Sequence, residues 1–166
     1  MTSLENFIVH SKERLAELTR LKQDRTKIVG YVPNGYMPEE LVYASGAIPV
    51  GLVRGGDHEA ITASESHLFR FLDSFCRSQI GYRALGKEPL YQLPDLMVVP
   101  ITDRNINAIA DSWEFSTDVA VFKYGVPRYK GVQHAFEYYV EGLKLLKQRL
   151  EKLTGYEIKN NKLREE

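Results

Sequence analysis

GYVPNGYMPEELVYASGAIPVGLV, residues 30–53, holds a strand end, a loop, a helix and a second strand in one short run. The β-rich residues 27–32 stop at Pro33. A loop with Asn34-Gly35-Tyr36 follows. Residues 38–45 then predict a short helix. Pro38 sits at its first turn, Glu39 and Glu40 lie beside its positive end, and Gly46 stands just beyond its last turn. Residues 47–53 are apolar again and close at Gly55-Gly56-Asp57. Pro49 lacks a ladder donor, so this second strand belongs at a sheet edge or carries a bulge. A loop between a buried strand and a helix start is where α/β proteins bind ligands.

Outward from this run, strands and helices keep alternating. Leu4, Phe7, Ile8, Leu15, Leu18 and Leu21 recur at helical spacing and predict a helix over 3–24, with Ser3 as its N-cap. Residues 58–85 read as one or two helices with Leu68, Phe71, Leu72, Phe75 and Ile80 turned inward and Gly86 as the stop. Residues 96–101 form a third strand. Thr102 or Asp103 caps a helix running to Trp113, with Ile106, Ile109, Ala110 and Trp113 on one face. Residues 119–122 make a fourth strand before a Gly125-Val126-Pro127 turn. In the last helix Val132, Phe136, Val140, Leu143, Leu146, Leu150 and Leu153 repeat in steps of three and four up to Gly155.

Near-continuous apolar strands between helices indicate a parallel sheet buried on both faces. The expected fold is α/β: a three-layer, flavodoxin- or Rossmann-like domain with a short, mostly parallel four-stranded sheet. Loops 33–37, 54–57, 102–104 and 123–128 then meet at the carboxyl end of that sheet.

The 166 residues suit one domain with a real core. Lys plus Arg and Asp plus Glu each number 22, so nothing electrostatic points to a nucleic acid or a membrane surface as partner. No apolar run reaches the roughly 18 residues of a membrane span. The start MTSLENFIVHSKERL lacks the pattern of a secretory signal. With a single cysteine the chain forms no internal disulfide, and the simplest expectation is a cytoplasmic protein.

Several residues invite a chemical reading. Cys76 is either a buried small hydrophobe or a thiolate metal ligand, and the first is favoured because one thiol holds no cluster unaided. His58, Glu59, Glu65 and His67 follow no zinc spacing and read as solvated helix polarity; His10 and His134 carry no signal. Thr102-Asp103-Arg104 either caps a helix or presents free N–H groups to an anion or carbonyl. Asn34-Gly35-Tyr36 is either an ordinary turn or a close backbone approach to a ligand, with a ring and hydroxyl beside it. The ten tyrosines, Tyr124, Tyr129, Tyr138 and Tyr139 among them, read as core-edge residues. There is no P-loop, no G-x-G-x-x-G and no serine nucleophile elbow.

YVPNGYMPEELVYASGAIPV, SFCRSQIGYRALGK and LPDLMVVPITDRNINAIADSW together resemble the 2-hydroxyacyl-CoA dehydratase family, which includes benzoyl-CoA reductase subunits. The resemblance covers residues 28–163. Members are roughly twice this length and pair two similar α/β domains. It therefore implies an N-terminal helix over 1–26, a first domain over 27–155, and a polar tail over 156–166 leading to an absent second domain. It implies removal of water from an (R)-2-hydroxyacyl-CoA, with one electron delivered by an ATP-dependent iron–sulfur activator. It also implies a [4Fe–4S] cluster held by cysteines from two domains. Cys76 lies in the region of one such ligand, and Thr102 stands where a second would be. Other cysteines must then come from a second domain or partner subunit. By position, Asn34, Gly35, Tyr36, Glu39 and Glu40 face the acyl thioester, and Asp103 and Arg104 line the cluster side. The alternatives are a non-catalytic relative that binds acyl-CoA or acts in assembly, and a benzoyl-CoA reductase-type subunit.

Overall fold

Strands β1 (Ile28–Tyr31), β2 (Ile48–Gly51), β3 (Leu96–Ile101) and β4 (Ala120–Gly125) form one sheet in the order β2-β1-β3-β4, all parallel. They are joined by α1 (Ser3–Gln23), α2 (Glu39–Ala44), α3 (His58–Ala63), α4 (Ser74–Leu85), α5 (Arg104–Ser116) and α6 (Gln133–Thr154). The computed structural model describes residues 3–68, 70–129 and 131–159. Residues 160–166 of the predicted polar tail lie outside the described residues.

Alternation along the strands splits the core in two. Ile28, Met97 and Val99 face Leu18 of α1, Ala60 of α3, Ile80 of α4 and Trp113 of α5. Val29, Leu96 and Val98 face Val42 of α2 and Leu146 and Leu150 of α6. Period-two strands buried on both sides therefore make three layers, as the apolar runs predict. Strand order 2-1-3-4 is that of the first four strands of the flavodoxin-like arrangement. β2 lies at the edge, which is what Pro49 requires.

The structure corrects several local readings. Ser3 is already helical, so it is not the cap of α1. β4 runs on to Gly125. Of the two cap candidates for α5, the cap is Asp103. Residues 67, 68 and 70–73 leave the helical path between a 3₁₀ turn at Ser64–Ser66 and the start of α4, and Phe71 is 97% exposed instead of inward. In α6, Val132 precedes the helix and Phe136 is 69% exposed, while the next residues along, from Tyr139 on, pack against β4 and the second core. The first half of α1 likewise leaves Leu4 and Phe7 in solvent. Helical spacing reports a face, and neighbouring elements decide how much of it is covered. The described part of the tail is not merely polar: Ile158 is buried in the second core, and its N–H donates to Glu151 Oε1 at 2.9 Å.

Candidate functional site

Strand order reverses direction between β1 and β3, and the crevice beyond their carboxyl ends is the place an open α/β sheet offers a ligand. Asn34 spans it. Its Nδ2 donates to Pro100 O at 2.7 Å, tying the loop after β1 to the end of β3. Its Oδ1 accepts from Tyr36 N at 3.3 Å, closing a tight turn over Gly35, whose φ of 75° suits glycine. Two hydroxyls then pin the same loop: Tyr124 in β4 donates to Tyr36 O at 2.5 Å and Tyr139 in α6 donates to it at 3.3 Å. Burial, with Tyr139 beside it, pushes the Tyr124 hydroxyl pKa well up, so it stays a neutral donor. The structure shows Asn34-Gly35-Tyr36 as a turn held at the crevice by these bonds.

The acidic pair of α2 separates. Tyr31 Oη donates to Glu39, while Glu40 is exposed. Thr102 and Asp103 turn inward on their own helix. Asp103 Oδ1 accepts from Asn105 N at 2.8 Å and Ile106 N at 3.1 Å, and Thr102 Oγ1 donates to Asp103 Oδ2 at 2.9 Å. Partial burial pushes the Asp103 carboxyl up. The Ile106 and Asn105 amides, the Thr102 hydroxyl and the Arg128 charge outweigh that and hold it below the usual carboxylate range. The capping arrangement thus uses N–H groups that an anion would need. Arg104 is exposed beside a cleft of about 590 Å³ that also borders His67, Phe71 and Phe115.

The loop after β2 is held from below. Gln79, fully buried in α4, donates from Nε2 to Arg54 O at 2.9 Å and accepts from Tyr91 Oη at 3.1 Å. Sequence reasoning missed Gln79, since a lone glutamine in a helix carries no signal of burial.

Cys76 is fully buried in α4, beneath its Asp73 cap. Its pKa is pushed far up, by burial first and then by the charge and hydrogen bond of Asp73, with the Asp103 charge adding to this. The fold therefore does bring Cys76 towards the Thr102–Asp103 loop, but as a single buried thiol with the Asp73 and Asp103 carboxylates near it, and one thiol holds no cluster unaided. Among the described residues no group of three or more His, Cys, Asp or Glu side chains could hold a metal ion. These residues do not fit a cluster. The other polar candidates are engaged separately: Glu65 pairs with Arg70 and Arg77, Glu59 with Lys87, His58 Nδ1 lies 3.4 Å from Thr62 Oγ1, and His67 Nδ1 lies 3.2 Å from Ser116 Oγ. A reactivity measurement follows from the buried thiol. Alkylation of Cys76 by iodoacetamide at pH 8 is expected to run on the order of 100-fold or more slower in the native chain than in the unfolded one. Equal rates would show an accessible thiolate instead.

Beside the crevice, Tyr36, Val126, Pro127, Ala135, Phe136 and Tyr139 line an apolar pocket of about 340 Å³. Of these, sequence reasoning marks only Tyr36 as a site residue. Tyr139 shares its helix face with Leu143, Leu146 and Leu150, and that spacing was the available signal.

No described helix is long and apolar enough to cross a membrane. The family model for 2-hydroxyglutaryl-CoA dehydratase, D-component, matches residues 34–166. The chain is similar to the beta subunit of lactoyl-CoA dehydratase from Anaerotignum propionicum, at 26% identity over 132 residues, 80% of this chain and 33% of that protein. It is also similar to a benzoyl-CoA reductase subunit from Thauera aromatica, at 27% identity over 139 residues, 83% of this chain and 35% of that protein. The matched segment spans about one third of the length of each of these curated relatives.

Proposed function

Because this chain belongs to the 2-hydroxyglutaryl-CoA dehydratase D-component family, we propose that it is a component of a 2-hydroxyacyl-CoA dehydratase-like enzyme. One observation carries the reading: the family match spans residues 34–166, and so includes the pinned 34–36 loop at the crevice. The reaction removes the 2-hydroxyl group and a proton from C3 of an (R)-2-hydroxyacyl-CoA, leaving an enoyl-CoA and water. In this proposal Asn34, Gly35 and Tyr36 face the acyl thioester, with Glu40, Asp103 and Arg104 around the rim. The turn over Gly35 brings backbone close to the ligand, and the Asn34, Tyr124 and Tyr139 hydrogen bonds hold it there before binding. Such preorganisation lowers the ordering cost of the complex.

The electron chemistry is assigned elsewhere. A lone buried Cys76 and a Thr102 hydroxyl engaged by Asp103 do not make up the ligand set of a cluster. We therefore place any [4Fe–4S] cluster on a partner subunit or a second domain, and the electron source in an ATP-dependent iron–sulfur activator. The same observation favours the second reading, a non-catalytic relative that binds acyl-CoA or supports assembly. Near-equal identity to the benzoyl-CoA reductase subunit keeps a reductase-type component as a third.

The deciding experiment is oxygen-free purification of the chain with its partner subunit, followed by assay with the activator, ATP and an (R)-2-hydroxyacyl-CoA. Iron in the complex and formation of enoyl-CoA are expected. An iron-free, inactive complex that still binds acyl-CoA rejects the enzyme reading in favour of the non-catalytic one.

A further inference from the structure

We propose that the open edge of β4, with the flank of α6 beside it, is a dimerisation surface. A second copy of this chain adds its own β4 there, antiparallel, and joins the two sheets into one. The acyl-CoA reading above is not needed for this.

The two edges of the sheet differ. β2 has four residues, and Pro49 within it lacks a donor, which guards an edge. β4 has six residues and no proline, and among the described residues nothing pairs with its outer side. Val126 N donates to Ile101 O at 3.0 Å, so alternation turns the main-chain groups of Val121, Lys123 and Gly125 outward. The charged side chain of the strand, Lys123, is drawn back to Asp111 at 3.1 Å and Glu114 at 2.5 Å on α5, and guards the edge less than a free lysine. A flavodoxin-like sheet continues past its fourth strand with a fifth. Here the described residues after α6 turn the other way: Tyr156 lies beside Gly46, and Ile158 joins the cluster of Ala44 and Ala47 before β2.

The flank of α6 identifies the occupant. Tyr138 borders Gly125 and Gly142 borders Tyr124, so this side of α6 lies along β4. Steps of three and four carry the same side on to Leu145 and Arg149, with Glu141 next to it. Tyr138 is 60% and Leu145 49% exposed, which leaves apolar surface beside an open strand. Glu141, exposed and bonded to Lys144 of its own helix, and Arg149 stand one turn either side of Leu145. Two α6 helices laid antiparallel about Leu145 therefore set Glu141 of each copy against Arg149 of the other. A flank that is its own charge complement fits a two-fold dimer.

Strand and helix select the same axis. α6 runs back along β4, and two residues of strand span about 6.6 Å, or roughly four residues of helix. Tyr139 and Gly142 lie against Tyr124, so Leu145 comes level with Phe122. An axis through Phe122 pairs that ring with Phe122 of the second copy at a non-hydrogen-bonded site, while Val121 and Lys123 exchange main-chain bonds across the axis. An axis through Lys123 would set two lysines opposite each other, which is unfavourable. In the antiparallel pair the two crevices lie at opposite ends of the joined sheet.

Sedimentation equilibrium of the full chain over a dilution series tests this. The wild-type chain is expected at twice the mass of one chain, dissociating on dilution. Leu145→Glu, at an exposed position, is expected to weaken the dimer roughly tenfold or more by setting two carboxylates at the axis. Glu141→Arg is expected to weaken it about fivefold, and adding Arg149→Glu to the same chain to restore it, since the pair is then reversed in both copies. Val121→Pro removes an outward donor, spares the ladder to β3 and is expected to leave a monomer. Should that variant unfold by circular dichroism, Leu145→Glu and the charge reversals decide. A wild-type chain that stays monomeric, including one that associates only with a different subunit, overturns the proposal. So does a dimer that Leu145→Glu and Glu141→Arg leave unchanged, or one that Arg149→Glu fails to restore.

Discussion

Replacing Gly81 by alanine is expected to destabilise the protein by about 3 kcal/mol or more, at the upper end of overpacking. Gly81 lies in α4 where that helix crosses α3. A Cβ added there would stand 1.7 Å from Ala60 O and 2.4 Å from its carbonyl carbon. Both atoms are backbone, so no rotamer change relieves the contact, and α3 and α4 must part. Ala60 is fully buried, and α3 is held at its start by Asp57, which accepts from Glu59 N at 2.9 Å. The loss compares with a total stability of about 5–15 kcal/mol for an ordinary domain. Denaturant unfolding of the full chain measures it. Gly86→Ala is the control: its φ of 66° is strained for alanine, but nothing lies within 4 Å of the added carbon, so a loss of about 1 kcal/mol is expected. A Gly81→Ala variant no less stable than Gly86→Ala would refute the helix crossing. The consequence for the site is indirect. α4 carries Cys76 and Gln79, and Gln79 holds Arg54 O after β2, so parting the helices also releases that loop.

The second large effect is expected at Trp113. Its ring is fully buried in the first core, with the Arg83 guanidinium 5.7 Å from the ring centroid. Truncation to alanine should cost about 3–5 kcal/mol, the transfer free energy of the ring plus the cavity left behind. Trp113→Phe should cost only about 1 kcal/mol, for a specific reason. Trp113 Nε1 is buried without a hydrogen-bond partner, and phenylalanine removes that unsatisfied donor together with part of the volume. A loss for Trp113→Phe well above about 1 kcal/mol would mean that removing the indole N–H brings no relief. Thermal unfolding followed by circular dichroism separates the cases. Because α5 begins at the Asp103 cap, the alanine variant is also expected to loosen the carboxyl end of β3, where Asn34 binds Pro100 O.

Much of this fold is written in local punctuation. Residues 96–101 read as a strand to the residue, since an unbroken apolar run of that length suits a strand buried on both faces. Pro49 foretells an edge strand because it removes one ladder donor, and β2 is that edge. The stretch from 58 to 85 is less legible. Its apolar residues fit a helical face, yet the chain turns out of helix after Ser66 and leaves Phe71 bare. In α6, Val140 fits the repeat as well as Tyr139 does, and only the packing against β4 shows that Tyr139 reaches the crevice loop.

Family membership, the parallel sheet and the place of the loops after its strands follow from sequence alone, because apolar period, prolines, glycines and caps act within a few residues of themselves. The tertiary structure alone decided what those loops can do. Tyr36 O receives hydroxyls from residues 88 and 103 positions away, and Asn34 reaches a carbonyl 66 positions on. The charge of Asp103 bears on a thiol in a different helix. Such contacts depend on strand order and layer packing, which bring distant groups together, and no local pattern records where they will meet.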